Sequence, residues 1–174
     1  MSIAETRLTY IALGGNVGDR RAALDSALRH IDTLGGTRVV RCSPFYETAP
    51  WGLTAQPDFL NAVAEVETTL DAEALFHALK DIERVMGRVE GPRYGPRLID
   101  LDLLLHGDSV ISTPELTVPH PGMPARRFVL VPLNDLAPAL RHPVTGHTVA
   151  ALLASCPDTG LVRLHEEHIE RRTT

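Results

Sequence analysis

Two cysteines, one tryptophan and 5% aromatic residues are all that 174 positions carry of those types, and there is no basic excess, the formal net charge being −5. Each shortage excludes something. Cys42 and Cys156 cannot build a disulfide framework and lack metal-type spacing, so they are read as buried or half-buried packing residues. The acidic balance argues against bulk nucleic acid as a partner, which a basic surface would serve. No window approaches the ~18 consecutive apolar residues of a membrane span. The amino-terminal residues 1–7 form no signal-type apolar stretch, so the chain is expected in the cytoplasm with no membrane partner.

What is present describes a globular protein. Hydrophobic residues make up 44%, and 13 prolines with 13 glycines supply turns. The length suits one core, so a single domain over residues 1–174 is expected, with the core at 7–155 and a frayed polar tail at 165–174. With no apolar helix stripe left unassigned, a monomer is expected.

Periodicity sets the order of elements. Arg7–Leu13 reads as a strand, and Gly14 to Gly18 as the turn before Asp19, a helix N-cap. Leu24, Leu28, Ile31 and Leu34 recur at helical spacing until Gly35 and Gly36. A second strand is expected over Thr37–Tyr46, an ordered loop from Thr48 to Pro57, and a third strand whose apolar face is Leu60, Ala62, Ala64 and Val66. Asp71 opens a second helix with a stripe of Leu75, Leu79, Ile82 and Met86, closed by Gly87. The loop 88–96 then leads into a fourth strand. The order β-α-β-β-α-β predicts an α+β fold with a ferredoxin-like core, both helices on one face of the sheet. The remainder reads as an irregular C-terminal extension, with a hairpin turn at Gly107-Asp108, a rigid bend at Pro119-His120-Pro121, and a short helix or strand over Phe128–Leu140.

The fourth strand carries the chemistry. Between Arg93 and Leu105, Leu98, Asp100, Asp102 and Leu104 alternate with Ile99, Leu101, Leu103 and Leu105, so one face is wholly apolar and the other holds two carboxylates. Their Cα atoms lie roughly 6.5–7 Å apart, near enough to share divalent cations. Alone, Asp-x-Asp is a weak pattern that an edge strand facing water also produces. Arg93 and Arg97 just upstream and the apolar opposite face favour a metal pair, and the hard oxygen donors favour Mg²⁺ over Zn²⁺. Carboxylates for Mg²⁺ beside arginines for phosphate oxygens are the equipment of phosphoryl transfer.

Other motifs are less specific. Gly14-Gly15-Asn16 lacks the Lys-Ser/Thr of a P-loop and the spacing of a dinucleotide fingerprint, so it is read as a structural turn. Asn61 shares a face with Phe59, which suits either a planar ligand ring or a core amide that satisfies a loop. Glu83, near Lys80 and Arg84, fits a solvated helix face. His120 between two prolines fits a phosphate contact or a turn-stabilising hydrogen bond. His30, His77 and His106 carry no pattern.

With those residues in place the chain resembles the 6-hydroxymethyl-7,8-dihydropterin pyrophosphokinase family, which moves a diphosphate from ATP onto a pterin alcohol in folate biosynthesis. The resemblance rests on Gly95–Leu104, and extends through Ala12–Asn16, Ser43–Thr48, Gln56–Asn61, Glu83 with Gly87-Arg88, Leu116–His120 and Arg126–Phe128. It implies that Asp100 and Asp102 hold two Mg²⁺ ions, with Arg93 and Arg97 beside them in catalysis. It further implies a pterin pocket of Thr48, Ala49, Trp51, Phe59, Asn61 and Phe128. Arg88, Arg93, Arg97, His120 and Arg126 would hold the triphosphate of ATP, and Glu83, Leu103 and Thr117 would line the adenosine site. Tyr94, Pro121, Glu115 and Glu90 depart from residues associated with the family at those positions. A non-enzymatic ferredoxin-like binding module is the alternative from another class.

Overall fold

The computed structural model describes residues 4–50, 52, 54–87 and 95–165. Strand β1 (Arg7–Gly15) leads to α1 (Arg20–Asp32), whose Asp19 cap accepts a hydrogen bond from the Ala22 N–H. Strands β2 (Thr37–Cys42), β3 (Tyr46–Thr48) and β4 (Phe59–Thr68) follow. Helix α2 (Ala72–Val85) is capped by Asp71 and ends before Gly87, whose φ of 94° only glycine adopts readily. Strand β5 (Asp100–His106) completes the expected β-α-β-β-α-β series.

The expected second strand is broken in two. Pro44 has no N–H to give a ladder, so β2 and β3 pair separately with the two ends of β4. Ser43 bridges the gap: its Oγ accepts the Val63 N–H and donates to the Pro44 carbonyl. The antiparallel sheet runs β5-β1-β4-β3-β8, with β2 also on β4; β8 is Val162–Leu164.

Both faces of the sheet are covered. On one, Leu24, Ala27 and Ile31 of α1 and Leu75, Leu79 and Ile82 of α2 pack on Ile11, Leu13, Leu60, Ala62, Ala64, Val66, Ile99, Leu101 and Leu103. This is the helical layer expected from the sequence. The other face is roofed by the extension, which proves regular in part: α3 (Arg127–Leu136, with Pro132 inside) and α4 (Val149–Ala154). Leu130, Leu133 and Leu152 meet Tyr10, Val63, Leu104 and Leu105 there. Arg41 pins α3 to the sheet, donating to the Glu65 carboxylate and to the Leu136 carbonyl, while Tyr10 OH donates to Glu65 at 2.8 Å. Hydrogen bonding from Arg41 holds the Glu65 carboxyl below its ordinary range despite burial, which pushes the other way.

Three expectations need correction. Leu105 does not share the face of Ile99 and Leu101, because Tyr10 pairs with Leu105 and Ile11 with Leu103; the extra residue, Leu104, is a bulge that brings Leu105 beside Leu104 in the second core. Gly107 makes the expected turn, but β6 (Ile111–Ser112) pairs with β7 (Thr117–Val118) in a separate ribbon rather than with β5. Residues 162–164 lie outside the expected 7–155 core yet form β8, and His165, placed in the frayed tail, donates its N–H to the Phe45 carbonyl. The rest of the tail, 166–174, lies outside the described residues.

Leu130 of α3 is fully buried. Leu130→Ala should therefore lower stability by about 2–5 kcal/mol in urea unfolding. A loss below about 1 kcal/mol would mean that the roof contributes little to the core.

Candidate functional site

The roof covers only part of the second sheet face. Beyond it lies a cavity of about 310 Å³, and strand register explains what lines it. Asp100 pairs with Gly14 and Asp102 with Ala12, while Gly14 also pairs with Asn61 of β4, so these side chains share one floor. Small residues keep that floor hollow. A methyl group at Gly14 would overlap Asn61 Oδ1, and one at Gly15 would overlap the Leu98 carbonyl. Asn61 is buried and donates from Nδ2 to Thr48 Oγ1 at 2.6 Å.

One end of the cavity is aromatic and the other charged. Phe59, Asn61, Thr48 and Ala49 from the sheet face Phe128 and Val129 of α3. At the charged end stand Asp100, Asp102, Arg97, Lys80, His120 and Arg126. Arg97 is nearly buried, its side chain 12% exposed, and its Nε lies 3.9 Å from Asp100 Oδ1. Asn16 fixes the backbone at that residue from both sides: Asn16 N–H donates to the Arg97 carbonyl and Asn16 Oδ1 accepts the Arg97 N–H, each at 2.9 Å. Asn16 Nδ2 donates to Gln56 Oε1 and to the Pro57 carbonyl, tying the same point to the loop before β4. Gly14 and Gly15, expected in a turn, instead extend β1 and pair with Asn61 and Leu60, and Asn16 just beyond them serves the cavity through its hold on Arg97.

His120 is held below its ordinary pKa chiefly by burial; Asp102 pulls it up, and Arg126 and Lys80 push it down. Its Nδ1 accepts the Gly122 N–H, which leaves the proton of the neutral ring on Nε2 as a donor. Arg126 folds its guanidinium over Gly122, where a side chain would collide with it.

Of the positions expected on the pterin side, Thr48, Ala49, Phe59, Asn61 and Phe128 come together, as do Arg97, Asp100, Asp102, His120 and Arg126 at the charged end. The three expected at the adenosine side do not line this cavity. Leu103 is buried in the first core, and Thr117 is exposed on β7. Glu83 is no solvated residue: it is 1% exposed, and its Oε1 accepts the Leu101 N–H at 2.8 Å and a hydrogen bond from Lys80 at 3.0 Å. Trp51, Arg88 and Arg93 lie outside the described residues, as do Glu90 and Tyr94.

Lys80 was not among the expected site residues. Its Nζ also donates to the Leu101 carbonyl, so the buried Glu83 and the start of β5 hold this cation in place at the cavity wall. The available cue was its position three residues before Glu83 on one helix. Cys42 takes no part; burial pushes its thiol up to about 12. A further group of possible metal ligands, Glu73, His77 and Glu115, is exposed and lies outside the lining of this cavity.

A family model described as 7,8-dihydro-6-hydroxymethylpterin-pyrophosphokinase (HPPK) matches residues 10–138. The 2-amino-4-hydroxy-6-hydroxymethyldihydropteridine pyrophosphokinase of Pseudomonas aeruginosa is 46% identical over 155 residues, covering 89% of this chain and 95% of its own. The protein of the same description from Methylorubrum extorquens is 41% identical, covering 89% and 97%. Among solved structures, a Plasmodium falciparum HPPK-DHPS crystallised with pteroate superposes with a TM-score of 0.71 at 16% identity, over 88% of this chain and 43% of that one. At that identity the likeness speaks for the fold, and this chain spans less than half of that longer one.

Gly14→Ala should cost about 1–3 kcal/mol, because the added methyl must displace the Asn61 amide or shift β1. Thermal unfolding checks this. An unchanged midpoint would mean that the floor has room the register does not suggest.

Proposed function

The chain belongs to the 7,8-dihydro-6-hydroxymethylpterin-pyrophosphokinase family and is an ATP-dependent diphosphotransferase of folate biosynthesis, and we propose that its reaction is run in the cavity between β5, β4 and α3. One observation carries this reading: Asp100 and Asp102, Arg97 and the Phe59–Asn61 pair, from separate segments, meet in one hollow. In the proposed arrangement the pterin ring lies between Phe59 and Phe128, with its polar edge on Asn61 and on the polar groups near Thr48 and Ala49. Its hydroxymethyl group then points toward the two aspartates.

The donor set fits magnesium. Asp100 and Asp102 project from one strand face at i and i+2, Asp100 is 34% exposed and so open to a ligand, and no thiol or thioether among the described residues lines the cavity. Two ions at this pair are proposed; bound there, magnesium would offset polyphosphate charge and acidify the pterin hydroxyl. The chain's own residues do the rest. Arg97, tethered by Asn16, offers its guanidinium where charge gathers on the transferred phosphoryl oxygens. Arg126 and Lys80 add fixed positive charge, and neutral His120 donates from Nε2. Arg88 and Arg93 are proposed to add to this set on the family resemblance. In-line attack of the pterin hydroxyl oxygen on the β-phosphorus forms the new O–P bond as the bond to AMP breaks and the hydroxyl proton passes to water, so positioning and electrostatics suffice without a covalent intermediate. On the family resemblance Glu83, Leu103 and Thr117 are proposed adenosine contacts beyond the cavity, with ATP entering at the charged end. The enzyme is proposed to act as a monomer in the cytoplasm; no helix of the described residues is long and apolar enough to cross a membrane.

With ATP, Mg²⁺ and hydroxymethyl-dihydropterin, the protein should release AMP and not ADP. Asp102→Ala should fold yet lose about 4 kcal/mol of transition-state stabilisation, roughly a thousandfold in turnover. Near-normal turnover by that variant would remove the carboxylate pair from the mechanism. Arg97→Ala should depress kcat more than pterin affinity and Asn61→Ala the reverse; the opposite pattern would exchange their roles.

A further inference from the structure

The pterin end of the cavity has a backing that its own wall residues do not explain. Thr48 and Ala49 stand at the end of β3, a strand of three residues that Pro44 cuts off from β2, and Phe128 stands in the first turn of α3. These same residues border a second hollow of about 70 Å³, whose far side is Asp158, Gly160, Leu161 and Val162. The wall between pterin and solvent on this side is thus one layer of β3 and α3, and the segment 158–165 lies directly behind it.

That segment is anchored to both elements. Asp158 Oδ2 accepts the Arg127 N–H at 3.1 Å, supplying α3 with a cap that its own N-cap residue, Arg126, does not provide. Asp158 Oδ1 accepts the Gly160 N–H at 2.8 Å, which fixes the carboxylate's orientation. Four residues later β8 pairs antiparallel with β3, Val162 opposite Thr48 and Leu164 opposite Tyr46. Arg163 donates to Glu47 Oε2 at 2.6 Å, Arg20 of α1 donates to Glu47 Oε1 at 2.6 Å, and His165 lies 3.5 Å from the same carboxylate. Hydrogen bonds from Arg163 and Arg20 hold the Glu47 carboxyl down at about 2, so it is charged at neutral pH. A direct side-chain tie between β3 and α3, the hydrogen bond from Tyr46 OH to Asp135, lies at the end of α3 remote from Phe128.

We propose that residues 158–165 form a strap that sets the spacing between β3 and the start of α3, with Asp158 and Arg163 as positioning residues for the pterin substrate. The family match ends at residue 138, so the strap lies beyond it. The inference rests on the placement of the pterin between Phe59 and Phe128. Loosening the strap widens the gap that Thr48 and Phe128 close, which weakens the grip on a flat ring. It leaves the carboxylates of β5, Arg97 and Lys80 untouched, because these are held by β1, Asn16 and Glu83.

The test is steady-state kinetics on Asp158→Ala/Arg163→Gln in the full chain. The expected result is a rise of about tenfold in KM for hydroxymethyl-dihydropterin, with KM for ATP and kcat each within about threefold of the parent. Asp158→Asn keeps one carbonyl acceptor and sets an amide NH2 against the other N–H, so it should raise the pterin KM by less than the double variant while KM for ATP and kcat stay within about threefold. Should the double variant not fold, Arg163→Gln alone, altered at an exposed guanidinium, should raise the pterin KM about fivefold or more while KM for ATP stays within about threefold. A folded variant with unchanged pterin KM, or one in which both KM values rise together, overturns the strap. Asn61→Ala separates the two levels of the argument. If it raises the pterin KM while the strap variants do not, the strap alone fails; if Asn61→Ala is also without effect, the pterin placement fails and takes the strap with it.

Discussion

The register of β1 against β5 decides what the second face of this sheet can hold. Ladder pairing sets Asp100 opposite Gly14 and Asp102 opposite Ala12, so two carboxylates stand over residues with almost no side chain. Had larger residues occupied those two positions, the space would be filled and the carboxylates would face an apolar core at high cost. Further along β5 the same face becomes apolar at Leu104, and the bulge there adds Leu105, which meets Tyr10 in the second core. A hollow and a core thus share one surface.

Around that hollow, the charged groups are held by backbone and not left to fluctuate. Asn16 clamps Arg97 at both of its backbone polar groups, and Glu83, buried behind β5, receives both the Leu101 N–H and the Lys80 ammonium. Buried polar groups of this kind are costly unless every partner is in place, and here the partners belong to the site itself. Electrostatic catalysis depends on such fixed charge, because donors that are already oriented need no reorganisation as charge shifts. The same logic extends to the neutral end, where the Asn61 amide is oriented by Thr48.

Much of this was legible in the sequence, and the reasons are specific. The helices at Arg20–Asp32 and Ala72–Val85 show caps at Asp19 and Asp71 together with regular apolar stripes, and local signals of that kind do not depend on the rest of the chain. Asp100 and Asp102 stand out because charge in a leucine-rich strand demands a partner. Other features depend on distant contacts that no local pattern carries. In Leu103-Leu104-Leu105 every residue is apolar, so the sequence holds no phase information and the bulge is invisible. Glu83 sits among charged neighbours and reads as solvated until the Leu101 N–H is seen to need it. Val162-Arg163-Leu164 is too short to alternate convincingly, and its partner Glu47 lies 116 residues away from Arg163. The break at Pro44 was locally visible as a proline, but its repair by Ser43 Oγ was not.

The central claim is that the two aspartates of β5 grip the polyphosphate through divalent cations. Crystals grown with Mn²⁺, a nonhydrolysable ATP analogue and the pterin alcohol allow the ions to be located by anomalous scattering. The account predicts manganese peaks within about 2.0–2.3 Å of carboxylate oxygens of both Asp100 and Asp102, and bridging to the phosphates. Ordered nucleotide with no peak at either carboxylate would contradict it.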